Sequence, residues 1–266
     1  MDCSFVSLFS QGKGWEKKAC CYTADHNWSN PCRHVEMKTA ILSLGGSLLF
    51  SGSFPDTDFI NDFARFAEKI SQKTRLIVVV GGGRTARSYI TAGKKLGIKD
   101  PAQLDWLGIE ATRLNAGLVK RCFSSYAYKK TLSNPFKKAK AKESILIYSG
   151  YKPGFSSDYV AAACAKTYSI GIVLNLTNVD FLYDKNPSTH QDANPIKKAS
   201  WQEYLSMFPL FSPGMHCPFD PVAAEFCRKN SIKAAIINGR DFRSIEAFLA
   251  GKKYKGTLLE RRVTTL

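Results

Sequence analysis

Short apolar runs alternate with amphipathic stretches along most of this chain. Runs rich in β-branched residues, too short for helices, predict strands buried on both faces at 39–44, 76–80, 145–149, 171–177 and 234–237. Between them the apolar residues recur at helical spacing, which predicts helices over about 57–70, 85–96, 100–122, 158–165, 219–230 and 242–249. This alternation is typical of an α/β fold with a parallel sheet and crossover helices.

The boundaries of several elements carry their own signals. Asp56 or Thr57 can cap the first helix, Ser156 or Ser157 a later one, and Ser200 a short one. Residues 256–259 predict an edge strand that closes the sheet. Residues 37–266 contain no internal repeat and no Pro- or Ser-rich linker. We therefore predict one domain with two lobes over this range.

Residues 1–36 differ from the rest because they show no hydrophobic periodicity. A zinc site could be assembled from Cys20, Cys21, His26, Cys32 and His34, but their spacing matches none of the usual zinc motifs. We interpret this segment as a disordered extension or an over-long start assignment, with the fold beginning near Met37. No protein metal site is predicted elsewhere.

Composition narrows the class of protein. Of the 266 residues, 44% are hydrophobic and 23% are charged, which is ordinary for a soluble globular protein. No apolar run approaches the roughly 20 residues that span a bilayer, and a secretory signal is missing, so we predict a cytoplasmic protein. The net charge of +16 attracts polyanions, but it fits a nucleotide enzyme and a nucleic-acid binder equally.

The candidate chemistry begins at a glycine turn after the second strand. Gly81, Gly82 and Gly83 remove every side chain from this turn, and Arg84 and Arg87 follow at the start of a helix. A bare turn, a helix N-terminus and two guanidiniums make a plausible anion site. The same residues also satisfy the G-x-G-x-x-G/A dinucleotide fingerprint, so a Rossmann-type oxidoreductase and a phosphate-transferring enzyme both fit here.

Two observations favour phosphoryl transfer over hydride transfer. A dinucleotide fingerprint should follow the first strand and precede an acidic residue at the end of the second, whereas here it follows the second strand. Further glycine-rich strand ends occur at residues 45–47 and 150–157, which suits several phosphates in one line. A Walker P-loop and a Gly-x-Ser-x-Gly elbow are absent from the sequence.

The connection at residues 129–142 is strongly basic. It carries six lysines but only Phe136 as a stacking platform for a base. We therefore interpret it as a solvated connection rather than an RNA site, and we do not predict nucleic acid as a partner.

Six motifs together resemble the amino acid kinase superfamily and, within it, the archaeal-type uridylate (UMP) kinases. They are Leu44-Gly45-Gly46-Ser47, Val80 to Arg87, Ala111-Thr112-Arg113-Leu114-Asn115-Ala116, Pro153 to Asp158, Thr177-Asn178-Val179-Asp180, and Asp220-Pro221-Val222-Ala223-Ala224. The resemblance covers about residues 38–260. It implies a three-layer αβα sandwich with a mostly parallel central sheet, usually a homohexamer, which transfers the ATP γ-phosphoryl group to UMP with Mg²⁺.

The resemblance also implies roles for individual residues. The expected ATP-binding residues are Gly45, Gly46, Ser47, Gly83, Arg87, Thr177, Asn178, Tyr183 and Asn186. The expected UMP-binding residues are Gly82, Asp105, Tyr151, Lys152, Pro153, Gly154, Phe155, Ser156 and Ser157. The expected catalytic residues are Arg87, Arg84, Lys152 and Asp158. Of these, Arg87 has the strongest physical case, because a permanent cation between two anions lowers their repulsion.

The chain departs from the family pattern at four positions. Ser43 stands where many superfamily kinases carry lysine, Phe155 where a histidine is common, and Phe181 and Asn186 where Gly and Asp are usual. These changes leave open a different monophosphate acceptor or a protein that binds nucleotides poorly. A non-catalytic nucleotide- or RNA-binding regulator is a further alternative. An isopentenyl phosphate kinase is disfavoured, because it relies on a mid-chain histidine and none lies between His34 and His190.

Overall fold

The computed structural model describes residues 37–123, 125–185, 187, 189–208 and 217–261. Its strands are β1 (Lys38–Leu44), β2 (Phe50–Ser51), β3 (Phe54–Pro55), β4 (Thr74–Val80), β5 (Ile145–Tyr148), β6 (Ile172–Thr177), β7 (Leu182–Tyr183), β8 (Pro195–Ile196), β9 (Lys198–Ser200), β10 (Lys233–Asn238) and β11 (Thr257–Glu260). Its helices are α1 (Thr57–Ser71), α2 (Gly83–Lys95), α3 (Pro101–Arg121), α4 (Ser157–Tyr168), α5 (Trp201–Met207), α6 (Pro221–Lys229) and α7 (Phe242–Leu249). A 3-10 helix, Gly46–Leu49, follows β1.

Seven strands form the central sheet in the order β5-β4-β1-β6-β10-β11-β9. β1 lies between β4 and β6 and runs parallel to both, with Leu44 paired to Val80 on one side and to Leu176 on the other. β11 runs antiparallel to its neighbour β10, and β9 runs parallel to β11, so these two strands oppose the other five. The carboxyl ends of β5, β4, β1, β6 and β10 therefore meet at one edge of the sheet, where open α/β sheets bind ligands.

Helices cover both faces of the sheet because its strands are apolar on both sides. Alternate residues of β1 and β4 point to opposite faces: Leu42 and Val78 pack with α1, α3 and α7, whereas Ile41 and Ile77 pack with α4, α5 and α6. The prediction of a three-layer α/β fold with a mostly parallel sheet is confirmed.

The closing edge of the sheet differs from the prediction. The segment at 256–259 was expected to form the edge strand, but β11 lies inside the sheet and pairs with β10 on one side and β9 on the other. The true edge is β9, which has only three residues. A strand this short shows no hydrophobic alternation, so the sequence pattern could not reveal it.

The predicted helix caps are largely as expected. The side chains of Asp56, Ser156 and Ser200 each accept a hydrogen bond from a backbone amide in the first turn of their helix. In the described part of the chain, no helix has the length and apolar character needed to cross a membrane. Residues 1–36, including the cysteines and histidines considered for zinc, lie outside the described residues.

Candidate active site

The first glycine turn sits where the chain changes direction across the sheet. From β1 the chain proceeds to β4 and β5 on one side, and then crosses to β6 and β10 on the other. The carboxyl end of β1 is therefore a topological switch point, which is the usual ligand position in such sheets. Gly45 begins the turn there, and its amide donates to the Leu176 carbonyl of β6 at 3.0 Å.

The two glycine turns pack backbone against backbone. A Cβ on Gly46 would lie 2.1 Å from the Gly83 nitrogen, and one on Gly83 would lie 2.2 Å from the Gly46 oxygen. Gly83 also has φ +57°, in the left-handed region that favours glycine. These glycines therefore do more than leave room for a ligand, because they allow the turns after β1 and β4 to touch.

Two buried polar residues of α3 hold the turns in place. Asn115 donates from Nδ2 to the carbonyl oxygens of Gly81 at 2.9 Å and Gly82 at 3.1 Å. One turn earlier, the Thr112 hydroxyl accepts from the Gly150 amide at 2.7 Å. α3 thus braces the turn after β4 and the loop after β5 together. Polar residues three positions apart on a buried helix face were the available sequence signal for this role.

Ser43 and Asp158 form a contact beneath the first glycine turn. The Ser43 side chain is fully buried in β1, and its hydroxyl donates to Asp158 Oδ1 at 2.8 Å. The Asp220 amide donates to Asp158 Oδ2 at 3.0 Å, and the Ser156 hydroxyl donates to Asp220 Oδ2 at 2.7 Å. This network links β1 to the N-termini of α4 and α6.

The surroundings of Asp158 alter its acidity. Desolvation raises the pKa of its carboxyl from 3.8 to about 6, and the nearby Asp220 carboxylate adds to that effect. The hydrogen bonds from the Asp220 amide and the Ser43 hydroxyl oppose it, since they stabilise the charged form. Both Asp158 oxygens thus accept hydrogen bonds from the protein, and this carboxyl connects Ser43 of β1 with the start of α6.

Arg84 and Arg87 lie together on the exposed side of α2. They line one open cleft with Ser88, Thr91, Ala92 and Lys95. α2 packs against the 3-10 helix that follows β1. None of the ion pairs among the described residues involves Arg84, Arg87 or Lys152, so these cations have no carboxylate partner to displace. No residue of either glycine turn lines this cleft, but α2 begins at Gly83, so both guanidiniums lie within the first turns after the junction. Unpaired guanidiniums suit a polyphosphate.

The loop between β5 and α4, residues 149–156, flanks the second glycine turn. Asp105 of α3 accepts from the Gly154 amide at 2.8 Å, and Gly154 has φ +82°. The Tyr151 and Phe155 rings meet edge to face with centroids 5.6 Å apart. Lys152 Nζ lies 5.5 Å from the first ring and 5.2 Å from the second. The predicted acceptor residues Asp105 and 151–157 are thus brought together in one place.

Three of the predicted donor residues, Thr177, Asn178 and Tyr183, lie at the ends of β6 and β7. The Thr177 hydroxyl donates to the Val179 carbonyl and accepts from the Val179 amide, and the intervening Asn178 is exposed. Tyr183 lies in the short β7–β8 hairpin, where its ring meets that of Phe181 edge to face at 6.3 Å. Asn186 lies outside the described residues. In the described chain, no group of three or more His, Cys, Asp or Glu residues could hold a metal ion.

Comparison with known sequences shows which family the chain belongs to. The sequence profile of the amino acid kinase family matches residues 38–238. A uridylate kinase from Thermococcus sibiricus is 34% identical over 225 residues, which cover 83% of this chain and 98% of that protein. A uridylate kinase from Methanoregula boonei is 34% identical over 221 residues, which cover 81% of this chain and 93% of the relative.

Comparison with solved structures gives the same answer. The crystal structure of uridylate kinase from Archaeoglobus fulgidus superposes with a TM-score of 0.72 at 30% identity, covering 84% of this chain and 100% of the other. A UMP kinase from Ureaplasma parvum, at 24% identity, shares the fold with a TM-score of 0.70. The matched family profile and these relatives show that the chain belongs to the amino acid kinase family.

Proposed function

We propose that this protein transfers the γ-phosphoryl group of ATP to UMP, giving UDP and ADP. The observation that carries the proposal is the contact between Gly46 and Gly83, which joins the turns after two neighbouring parallel strands at the start of α2, the helix that carries the unpaired Arg84 and Arg87. Such a junction lets two phosphate chains approach the same backbone. The relatives described as uridylate kinases support UMP as the acceptor.

The order of strands supports a division of the site. On the β1 and β6 side, Gly45, Gly46, Ser47, Gly83, Thr177, Asn178 and Tyr183 would bind ATP. On the β4 and β5 side, Gly82, Asp105 and residues 151–157 would bind UMP. Arg87 would lie between the two nucleotides. With the donor on one side and the acceptor on the other, the reacting groups meet at the glycine junction, in line for displacement.

The reaction needs no protein base. A UMP phosphate oxygen attacks the γ-phosphorus, a new P–O bond forms, and the bond to the bridging oxygen of ADP breaks. A phosphate monoester has a second pKa of about 6, so the acceptor is already anionic near neutral pH. The protein therefore has to neutralise charge rather than remove a proton. Arg87 and Arg84 supply fixed positive charge, and Lys152 supplies it on the acceptor side.

Magnesium fits this site as part of the donor substrate. The described residues form no metal cage, and both oxygens of Asp158 already accept hydrogen bonds from the protein. Mg²⁺ commonly binds through phosphate oxygens and water with few protein ligands. We therefore propose that Mg²⁺ arrives bound to ATP, where it neutralises phosphate charge.

We also propose how the protein assembles and where in the cell it acts. Leu114 and Leu118 lie one turn apart on α3 and are 69% and 42% exposed, so they offer an apolar face for self-association, which we propose gives a homohexamer.

The described cysteines, Cys122, Cys164, Cys217 and Cys227, are all free. Free thiols and metabolite substrates are consistent with action in the cytoplasm.

A coupled ADP-release assay across several acceptors tests the proposed function. The acceptors are UMP, CMP, GMP, AMP and isopentenyl phosphate, each with ATP and Mg²⁺. We expect UMP to give the highest kcat/KM. Preference for another acceptor would reassign the substrate, and absence of turnover with every acceptor would refute a kinase function.

A further inference from the structure

Phe136 brings a third ring to the acceptor loop from a distant part of the sequence. Its ring meets Tyr151 with centroids 5.8 Å apart and Phe155 with centroids 6.2 Å apart, both edge to face. Since Tyr151 and Phe155 also meet each other, the three rings form a closed group, which we call the aromatic corner. Phe136 belongs to the basic connection between α3 and β5, which the sequence alone indicated to be a solvated linker.

The connection is held along the sheet edge, and this fixes Phe136 at the corner. The amides of Tyr128 and Leu132 donate to the carbonyls of Ile145 and Ile147 in β5 at 2.9 and 2.8 Å. Beyond them, Asn134 Oδ1 accepts from the Phe136 amide at 3.0 Å, which sets a tight turn. The connection thus pairs with β5 and delivers Phe136 to its carboxyl end.

The three rings differ in how firmly they are anchored. Phe155 packs against Tyr159 at 4.7 Å, and Tyr159 packs against Phe226 at 4.8 Å, so Phe155 is continuous with the interior. Phe136 contacts only the other rings of the corner among the described aromatic residues, and it remains 49% exposed. The corner therefore has a fixed wall and one open ring.

The strand order places this corner where the base of the acceptor would lie. Phosphates belong at the glycine junction between β1 and β4, and β5 is the outermost strand on that side. Asp105, one of the expected UMP-binding residues, accepts a hydrogen bond from the Gly154 amide in the loop that carries Tyr151 and Phe155. An acceptor whose phosphate lies at the glycine junction and whose sugar lies near Asp105 would therefore extend toward the aromatic corner at the β5 edge.

We propose that Phe136 is a specificity residue that stacks on the base of the acceptor nucleotide. An aromatic ring stacks on any base through its π-face. Phe136 would favour acceptors with a base over phosphates that lack one. This inference rests on the proposed function, because it takes the acceptor to be a nucleoside monophosphate.

The test compares two ligands that differ only in the base. UMP and ribose 5-phosphate are titrated into the wild-type chain, Phe136→Leu and Phe136→Trp by calorimetry or NMR, without ATP. Phe136→Leu keeps an apolar side chain but loses the ring, so UMP binding should weaken about tenfold while ribose 5-phosphate binding stays unchanged. Phe136→Trp should bind UMP at least as tightly as the wild type.

Controls separate stacking from packing. Tyr126→Ala changes a ring of similar exposure in the same connection, outside the aromatic corner, and should bind both ligands normally. Unchanged UMP affinity in Phe136→Leu, or equal weakening for both ligands, would overturn stacking. If Phe136→Leu fails to fold, Phe136→Trp provides the test instead. A Phe136→Trp variant that loses affinity equally for UMP and for ribose 5-phosphate would also overturn stacking.

The outcome also distinguishes this inference from the proposed function. A wild-type chain that binds and phosphorylates UMP, together with a Phe136→Leu variant that behaves identically, refutes only the role of Phe136. A wild-type chain that neither binds nor phosphorylates UMP refutes both.

Discussion

The two halves of this site are built in opposite ways. The junction between Gly46 and Gly83 consists of backbone packed on backbone, without space for a single added carbon. The acceptor loop consists of side chains: Asp105 holds Gly154, and the rings of Tyr151 and Phe155 form a wall. The comparison teaches that one half of the candidate site leaves no room for an added atom, whereas the other half is shaped by side chains that a substitution can replace.

The largest effect is expected from a methyl group at the junction. Gly46→Ala would place a Cβ against the Gly83 backbone, which has no flexible end to move aside. We expect a loss of stability of about 3 kcal/mol or more, together with loss of activity. Gly171→Ala is the matched control, because a Cβ there meets nothing within 4 Å. Denaturant unfolding of both variants measures the difference, and equal stability would contradict the junction.

Removing the cation at the junction should impair catalysis without unfolding the protein. Arg87 is exposed and has no described ion-pair partner, so Arg87→Ala should leave the melting temperature nearly unchanged. We expect kcat/KM to fall about a thousandfold, as for other arginines that stabilise a transferring phosphoryl group. Arg65→Ala, which removes an exposed arginine of α1, should retain full activity. Comparable activity in the two variants would remove Arg87 from the mechanism.

A smaller effect is expected from the pH dependence of Asp158. Because its pKa rises from 3.8 in the unfolded chain to about 6 in the fold, its contribution to stability is fully present below pH 3.8 and is lost as pH rises through 6. Asp158→Asn cannot ionise. The melting temperature of the variant relative to the wild type should therefore increase between pH 4 and pH 7. A constant difference across that window would show that Asp158 titrates normally.

Much of the fold could be predicted, because buried parallel strands and capped helices leave strong local patterns. The β1, β4, β5, β6 and β10 strands are apolar runs, and the glycine-rich ends of β1, β4 and β5 lie at one edge of the sheet. β9 could not be predicted, because a three-residue strand has no period to detect. The location of β11 inside the sheet depends on that strand.

The site was predicted less completely, because its contacts join distant residues. Sequence reasoning identified the glycines as room for a ligand but could not show that Gly46 and Gly83 touch. The Asn115 brace and the Ser43–Asp158 hydrogen bond join positions 34 and 115 residues apart. The sequence did not predict a role for Phe136 in the site, because a lysine-rich connection is usually solvated. In the structure this connection pairs with β5, and the pairing brings Phe136 to the acceptor loop. The roles of individual site residues stay predictions.

The most direct test of the central claim follows the phosphoryl group itself. Wild-type protein is mixed with ATP, Mg²⁺ and UMP, and the products are followed by ³¹P NMR. Transfer at the glycine junction predicts that the signals of UDP and ADP grow together in equal amounts and depend on both substrates. ADP with inorganic phosphate, or no change in the ATP signals, would contradict it.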